Sequence, residues 1–308
     1  MKTNKEFKGI IVPILTPLRP NGKVDDSSLR SLVNYLIENG VHGIWVSGTT
    51  GEFAHLSDSE RIHSMEVVVE VVANRVPVIG NISCGGTDLS IDMGLAVKDL
   101  GLDGLALTPP FYYPTSQDEL IIHYRRTADK LGSPLWVYNI PQTVKTPVNP
   151  ETILVLAMEK VVVGIKDSSG QGESLAQLNA LCQQNKIKLY NFIGSAFRVT
   201  RTRGVGVDGS IPGIANLVPG IYSKAYEAGQ SGIDETIRKY DSQILTSNRI
   251  SLFAHKGSPN RRTFASMKAA LKLMGIIEYD SMSMPFESLS DEEKSGLAEF
   301  LIELGLMS

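Results

Sequence analysis

Cysteine is scarce in this chain. Cys84 and Cys182 are the only two, too few for a disulfide framework and suited to a reducing compartment. No apolar run approaches the ~20 residues that a membrane helix needs. Charge of one sign is missing as well. Thirty basic residues stand against 33 acidic ones, leaving a formal charge of −3 with no block of either sign. That balance leaves no electrostatic footprint for nucleic acid or for a membrane surface. The five histidines, at 42, 55, 63, 123 and 255, show no ligand spacing, so no metal site is expected. The opening stretch MKTNKEFKGIIVPILTPLRP has a short apolar run broken by Pro13 and Pro17. No small-residue cleavage site follows it, and it does not read as a secretory leader. A cytoplasmic protein is the expectation.

What is present is an alternation. Short apolar runs rich in β-branched residues fall at 9–17, 43–48, 76–83, 104–110, 134–141, 161–169, 188–195 and 206–213. Runs that are apolar on both faces read as buried parallel strands. Longer amphipathic segments separate them. Leu29, Leu32, Val33, Leu36 and Ile37 keep helical spacing, with Gly40 placed to end the helix. Ser57 with Glu60, and Ser116 with Glu119, have the spacing of capping boxes, and Asn149-Pro150 reads as a helix start. Eight strands alternating with helices make a closed barrel or an open doubly wound sheet. The one GxGxxG string, Gly204 to Gly209, leads into Ser-Ile-Pro-Gly instead of opening a helix, so the nucleotide fingerprint of the open sheet lacks its context. Length and strand count favour an α/β fold of the (β/α)₈ TIM-barrel type. Helical segments near 218–228, 231–247, 260–274 and 290–305 follow. The first closes a barrel over residues 1–228, and the rest form a C-terminal helical appendage over 229–308, packed on the barrel.

Active sites of such barrels lie at the C-terminal ends of the strands. This selects Thr16, the stretch Ser47 to Glu52, Ser83, Thr108 to Tyr113, Tyr138 and Asn139, Lys166, Gly194 and Ser195, and Ser210 to Gly213. Lys166 follows Val161-Val162-Val163-Gly164-Ile165, an amine at the end of a strand that otherwise reads as core. An amine withdrawn from water is the nucleophile that imine formation with a ketone requires. The alternatives are a lysine snorkelling to the rim, or one paired with Asp167. Tyr138 ends the neighbouring strand and is placed to relay protons through a carbinolamine; without Lys166 beside it, it would read as a core tyrosine. Gly48-Thr49-Thr50-Gly51-Glu52 offers consecutive amides and two hydroxyls to a carboxylate, or is a plain strand-to-helix turn.

With these elements together, the chain resembles the dihydrodipicolinate synthase / N-acetylneuraminate lyase superfamily. The matching motifs are GTTGE (48–52), YNIP (138–141) and GIKDSSG (164–170), supported by TPPFYYPTSQDEL (108–120) and KAALKLMG (268–275). The resemblance covers essentially the whole chain. It implies a lyase that binds pyruvate as a Schiff base on Lys166, with Tyr138 shuttling protons and Thr49 and Thr50 contacting the substrate carboxylate and linking to Tyr138. Lys166, Tyr138 and Thr50 form the expected catalytic set. Gly48, Thr49, Thr50, Phe111, Tyr112, Thr143, Ser210 and Ile211 form the expected substrate-binding set. It further implies no metal or organic cofactor, pyruvate and an aldehyde as partners, and a homotetramer built as a dimer of dimers.

The departures bear on the aldehyde. Dihydrodipicolinate synthases carry an arginine where this chain has Thr143, and a hydroxyl cannot replace a guanidinium fork that grips a carboxylate. Sialic acid lyases carry an acidic pair after the glycine ending strand 7, where this chain has Ser195-Ala196-Phe197. The tyrosine of the strand-4 loop aligns with Phe111, leaving Tyr112 or Tyr113 to supply a hydroxyl, or an altered proton relay. By exclusion, cleavage or synthesis of a 2-keto-3-deoxy sugar acid is expected, with Ser83, Thr108, Gln142, Thr143 and Ser195 facing the second substrate. A barrel that binds a 2-oxo acid without turning it over is the alternative of another class.

Overall fold

Apolar runs too short to stand alone find their hydrogen-bond partners in one another, and here they close a ring. The computed structural model describes residues 5–170 and 172–307. Its eight strands are β1 (Gly9–Pro13), β2 (Gly43–Val46), β3 (Val78–Asn81), β4 (Gly104–Leu107), β5 (Leu135–Asn139), β6 (Val162–Asp167), β7 (Tyr190–Ile193) and β8 (Gly209–Ser210). They pair in parallel in chain order and close through β8 with β1. The seam is narrow: a Cβ on Gly209 would overlap the Gly9 carbonyl oxygen, so the last strand begins with the one residue that fits there.

Helices cover the outside between strands. They are α1 (Asp26–Glu38), α2 (Asp58–Val72), α3 (Thr87–Val97), α4 (Gln117–Leu131), the single turn α5 (Pro141–Val144), α6 (Pro150–Met158), α7 (Gly172–Gln184), the turn α8 (Thr202–Val205) and α9 (Pro219–Ser231). Strand parity sorts the core into two layers. Ile11, Trp45, Ile79, Ala106, Trp136, Tyr138 and Phe192 point into the barrel. Ile10, Val12, Ile44, Val46, Leu105, Leu107 and Val137 point out under the helices. The interior is a packed aromatic core, with Trp136 stacked on Tyr190 at 5.9 Å and edge-on to Phe7 at 4.9 Å.

The expected (β/α)₈ barrel is therefore the observed one, with three local differences. The eighth strand is two residues long, where the sequence suggested a run over 206–213. Ser116 and Glu119 form a complete capping box. Ser57 accepts the Glu60 amide, but the Glu60 carboxylate turns away to Lys23 and the Val24 amide, because a distant charged partner outweighs a local one. Beyond α9 come α10 (Asp234–Asn248), α11 (Pro259–Leu273), α12 (Asp291–Lys294) and α13 (Leu297–Glu303). The segment expected as one helix over 290–305 is broken at Ser295, which is extended, and Gly296, at φ +76°. Glycine takes that left-handed conformation readily, so the helix breaks there.

Candidate active site

Register brings the chemistry together. Tyr138 on β5 lies directly beside Lys166 on β6, and Lys166 beside Phe192 on β7. Lys166 is buried, with its Nζ 4.2 Å from the centre of the Tyr138 ring and 5.1 Å from that of Trp45. Trp45 and Tyr138 meet edge-on at 5.4 Å. The amine thus lies within cation–π distance of two aromatic rings. Asp167, next along the strand, points the other way. Its carboxylate accepts from the Asn139 amide at 2.8 Å and the Ser169 hydroxyl at 2.9 Å, while burial raises its pKa above the ordinary carboxylate value. The Lys166–Asp167 pair considered from sequence does not form.

The loop after β2 supplies the hydroxyls. Thr49 Oγ1 lies 3.1 Å from the Tyr138 phenol oxygen, so Thr49 is the threonine in contact with Tyr138. Thr50, assigned to the catalytic set from sequence, is buried facing the backbone of Gly213. The loop is bounded by two residues in the left-handed region, Ser47 at φ 56° and Glu52 at φ 60°, a conformation that persists only where the surroundings enforce it. Here they do. The Ser47 carbonyl accepts from the Asn81 amide at 2.9 Å, Thr16 donates to the Gly51 carbonyl at 2.8 Å, and Arg61 reaches the Ser47 hydroxyl at 3.4 Å. Glu52 Oε2 accepts from the Ser283 amide and hydroxyl at 2.9 and 2.6 Å. Its Oε1 lies 2.5 Å from Lys268 Nζ, both side chains wholly out of water. Gly48 lets the loop pass close to Trp45: a Cβ there would lie 3.0 Å from the indole edge, and the ring would have to give way by a few tenths of an ångström.

The other expected residues divide. Ile211 is buried in the barrel interior, and Ser210 beside it gives its hydroxyl to the carbonyls of Ile193 and Ser195, each at 3.1 Å. Thr143 and Phe111 line a cavity of about 210 Å³ that begins at Thr49. Tyr112 stands in solvent at 73% exposure, edge-on to Tyr113 at 5.0 Å, and does not line that cavity. Among the second-substrate residues, Thr108 joins Thr143 there, while Ser195 lines a separate hollow with Asp167 and Arg198. Ser83 is buried under the strand ends, bonded to Asn81 and the Thr108 amide. Gln142 donates to the Ser168 carbonyl. Two features escaped the sequence reading. Trp45 reads as ordinary strand core, and only the register that pairs it with Ile79 shows that it faces the barrel interior. Lys268 enters the sequence reading only as the first residue of KAALKLMG, with no partner assigned to it.

The profile of the dihydrodipicolinate synthetase family matches residues 6–304. The chain belongs to that family. It is accordingly a class I pyruvate-dependent lyase, of a family that holds pyruvate as a Schiff base on a lysine and uses no metal or organic cofactor. Among curated relatives, the 4-hydroxy-tetrahydrodipicolinate synthase of Thermodesulfovibrio yellowstonii is 32% identical over 301 residues, 98% of this chain and 99% of that protein. Among solved structures, dihydrodipicolinate synthase from Bacteroides thetaiotaomicron superposes with a TM-score of 0.91 at 29% identity, covering 98% of this chain and all of the other. The chloride-inhibited dihydrodipicolinate synthase of Acinetobacter baumannii, solved with pyruvate, gives 0.85 at 28% identity, over 97% of this chain and 99% of the other. No helix among the described residues is long and apolar enough to cross a membrane.

Proposed function

We propose that the chain catalyses a reversible aldol reaction in which pyruvate, held as an imine on Lys166, joins an uncharged aldehyde. The observation that carries this reading is the contact series from Lys166 to the Tyr138 ring and from the Tyr138 phenol to Thr49. Lys166 Nζ attacks C2 of pyruvate while the substrate carboxylate rests on the amides and hydroxyls of Gly48 to Thr50. Tyr138, backed by Thr49, passes a proton to the carbinolamine oxygen, which leaves as water. The protonated imine draws electrons from C3, which loses a proton and becomes an enamine. C3 then attacks the aldehyde carbon, whose oxygen takes up a proton, and water hydrolyses the imine to free Lys166. Cleavage runs the same steps backwards.

A 2-keto-3-deoxy sugar acid, which splits into pyruvate and a neutral polyol aldehyde, falls in this class, and the Thr143 hydroxyl is available to it at the cavity edge. The names of the relatives favour a second reading, 4-hydroxy-tetrahydrodipicolinate synthase. Against it stand Thr143 and a cavity with neither lysine nor arginine in its lining, which leaves a carboxylate-bearing aldehyde without a counter-charge. We further propose a homotetramer in the cytoplasm, consistent with two free cysteines. Light scattering should give four times the 33.5 kDa chain mass. The deciding experiment is incubation with pyruvate and borohydride followed by peptide mass analysis. A reduced pyruvyl adduct on Lys166 is expected; an adduct on another residue, or none on folded protein, would refute the proposal.

A further inference from the structure

The cavity beside Thr49 is built for something other than a polyol. Its far walls are rings: Phe53 from the turn after the Gly48–Glu52 loop, Phe111 from the loop after β4, and Phe264 and Phe286 from the C-terminal appendage, with Ile140 and Val144 on the β5 side. Phe53 and Phe111 meet edge-on at 6.2 Å, and the His55 ring stands edge-on to Phe286 at 4.5 Å. The polar groups that reach this space are mostly engaged within the protein. The Thr49 hydroxyl is on Tyr138, and that of Thr108 donates to the Pro109 carbonyl. Glu52 is held by Lys268 and Ser283, and His55 Nδ1 is on the Ser283 hydroxyl. That leaves His55 Nε2, Thr143 and Asn260, all three residues at the exposed edge. A polyol buried here would leave hydroxyls unpaired, which is costly. An apolar ring would leave none. Space allows it, since an apolar cavity of about 150 Å³ takes up benzene and this one measures about 210 Å³.

We infer that the aldehyde accepted by the pyruvate enamine carries an aromatic or compact apolar substituent, seated among Phe53, Phe111, Phe264 and Phe286. The product is then a 4-hydroxy-2-oxo acid with an apolar group on C4. In the forward step the C3–C4 bond forms, the carbonyl π pair moves to the aldehyde oxygen, and that oxygen gains a proton. Hydrolysis of the imine returns Lys166, so no oxidant or reductant enters. The inference rests on the Schiff-base reading and moves its acceptor away from polyols.

The test compares benzaldehyde, D-glyceraldehyde and succinic semialdehyde as acceptors with pyruvate, following product by mass, alongside borohydride trapping of pyruvate alone. Benzaldehyde should lead D-glyceraldehyde in kcat/KM by at least about tenfold, the scale on which an apolar pocket discriminates. Phe286→Ala, at a half-exposed position, should cut that preference by about tenfold, and Phe264→Ala offers a second, more buried truncation. A trapped adduct with glyceraldehyde or succinic semialdehyde preferred would overturn the inference and leave the Schiff-base reading standing. No adduct on Lys166 would overturn both.

Discussion

Lys268→Met tests whether the C-terminal appendage holds the Gly48–Glu52 loop. Lys268 Nζ lies 2.5 Å from Glu52 Oε1 with both side chains wholly buried, and it also donates to the Ser281 carbonyl at 2.9 Å. Methionine roughly matches the volume, so packing changes little. The Glu52 carboxylate keeps its two bonds from Ser283 but loses its counter-ion. Removing one partner of a buried ion pair costs about 3–5 kcal/mol, a large part of a typical folding free energy, and should lower Tm by on the order of 10 °C. Pairing it with Glu52→Gln removes the stranded charge while keeping an amide that can meet Ser283. The double variant should recover most of the loss, with a coupling above about 2 kcal/mol. Urea unfolding of the four proteins measures this directly. Because Glu52 ends the loop at φ 60°, pyruvate KM should rise in Lys268→Met and fall back in the double variant. A Lys268→Met cost below about 1 kcal/mol, or strictly additive single effects, would refute the coupling.

Other expectations follow from the site and the core. Lys166→Ala should abolish pyruvate trapping while circular dichroism stays native; trapping that survives would move the imine elsewhere. Tyr138→Phe keeps the ring against Trp45 but loses the phenol, and should slow turnover about 10²–10⁴-fold; a near-normal rate would place the relay on another group. Thr143→Arg alone should improve an anionic aldehyde less than about tenfold, since the surrounding walls are apolar, and a thousand-fold gain would contradict that view of the pocket. His123 is buried, with Nε2 donating to the Thr108 carbonyl at 3.2 Å and Nδ1 against the Thr87 hydroxyl at 2.9 Å. Burial pushes its pKa down to about 4. Unfolded chain therefore binds a proton near pH 6.5 that folded protein refuses, so stability of on the order of 3 kcal/mol is present above pH 6.5 and is lost as pH falls toward 4. His123→Gln should flatten the pH dependence of Tm between 6.5 and 4, and an unchanged slope would exclude His123 as its source.

Much of the barrel is legible in the sequence because its signals are local. Apolar runs, their parity and the cap at Ser116 need only neighbours along the chain. Lys166 and Tyr138 stand out because a polar group ends an apolar strand. What was not legible depends on distant partners. Glu60 turned from its cap to Lys23, and Lys268 met Glu52 across more than two hundred residues. Which of Thr49 and Thr50 touches Tyr138 depends on how the backbone turns at Ser47, whose positive φ no residue-type rule would assign to serine. The apolar character of the acceptor cavity was hidden for the same reason, since Phe264 and Phe286 join it only through the packing of the appendage.

Both tryptophans of the chain, Trp45 and Trp136, lie in the barrel interior, fully buried and edge-on to each other at 6.4 Å. No indole elsewhere contributes to the emission of the protein. The molecule thus carries its own optical probe, set against the amine that would become the imine, and stopped-flow fluorescence can follow pyruvate capture on unlabelled protein. A phenylalanine at 45 would separate the signal of that indole from the one deeper in the ring.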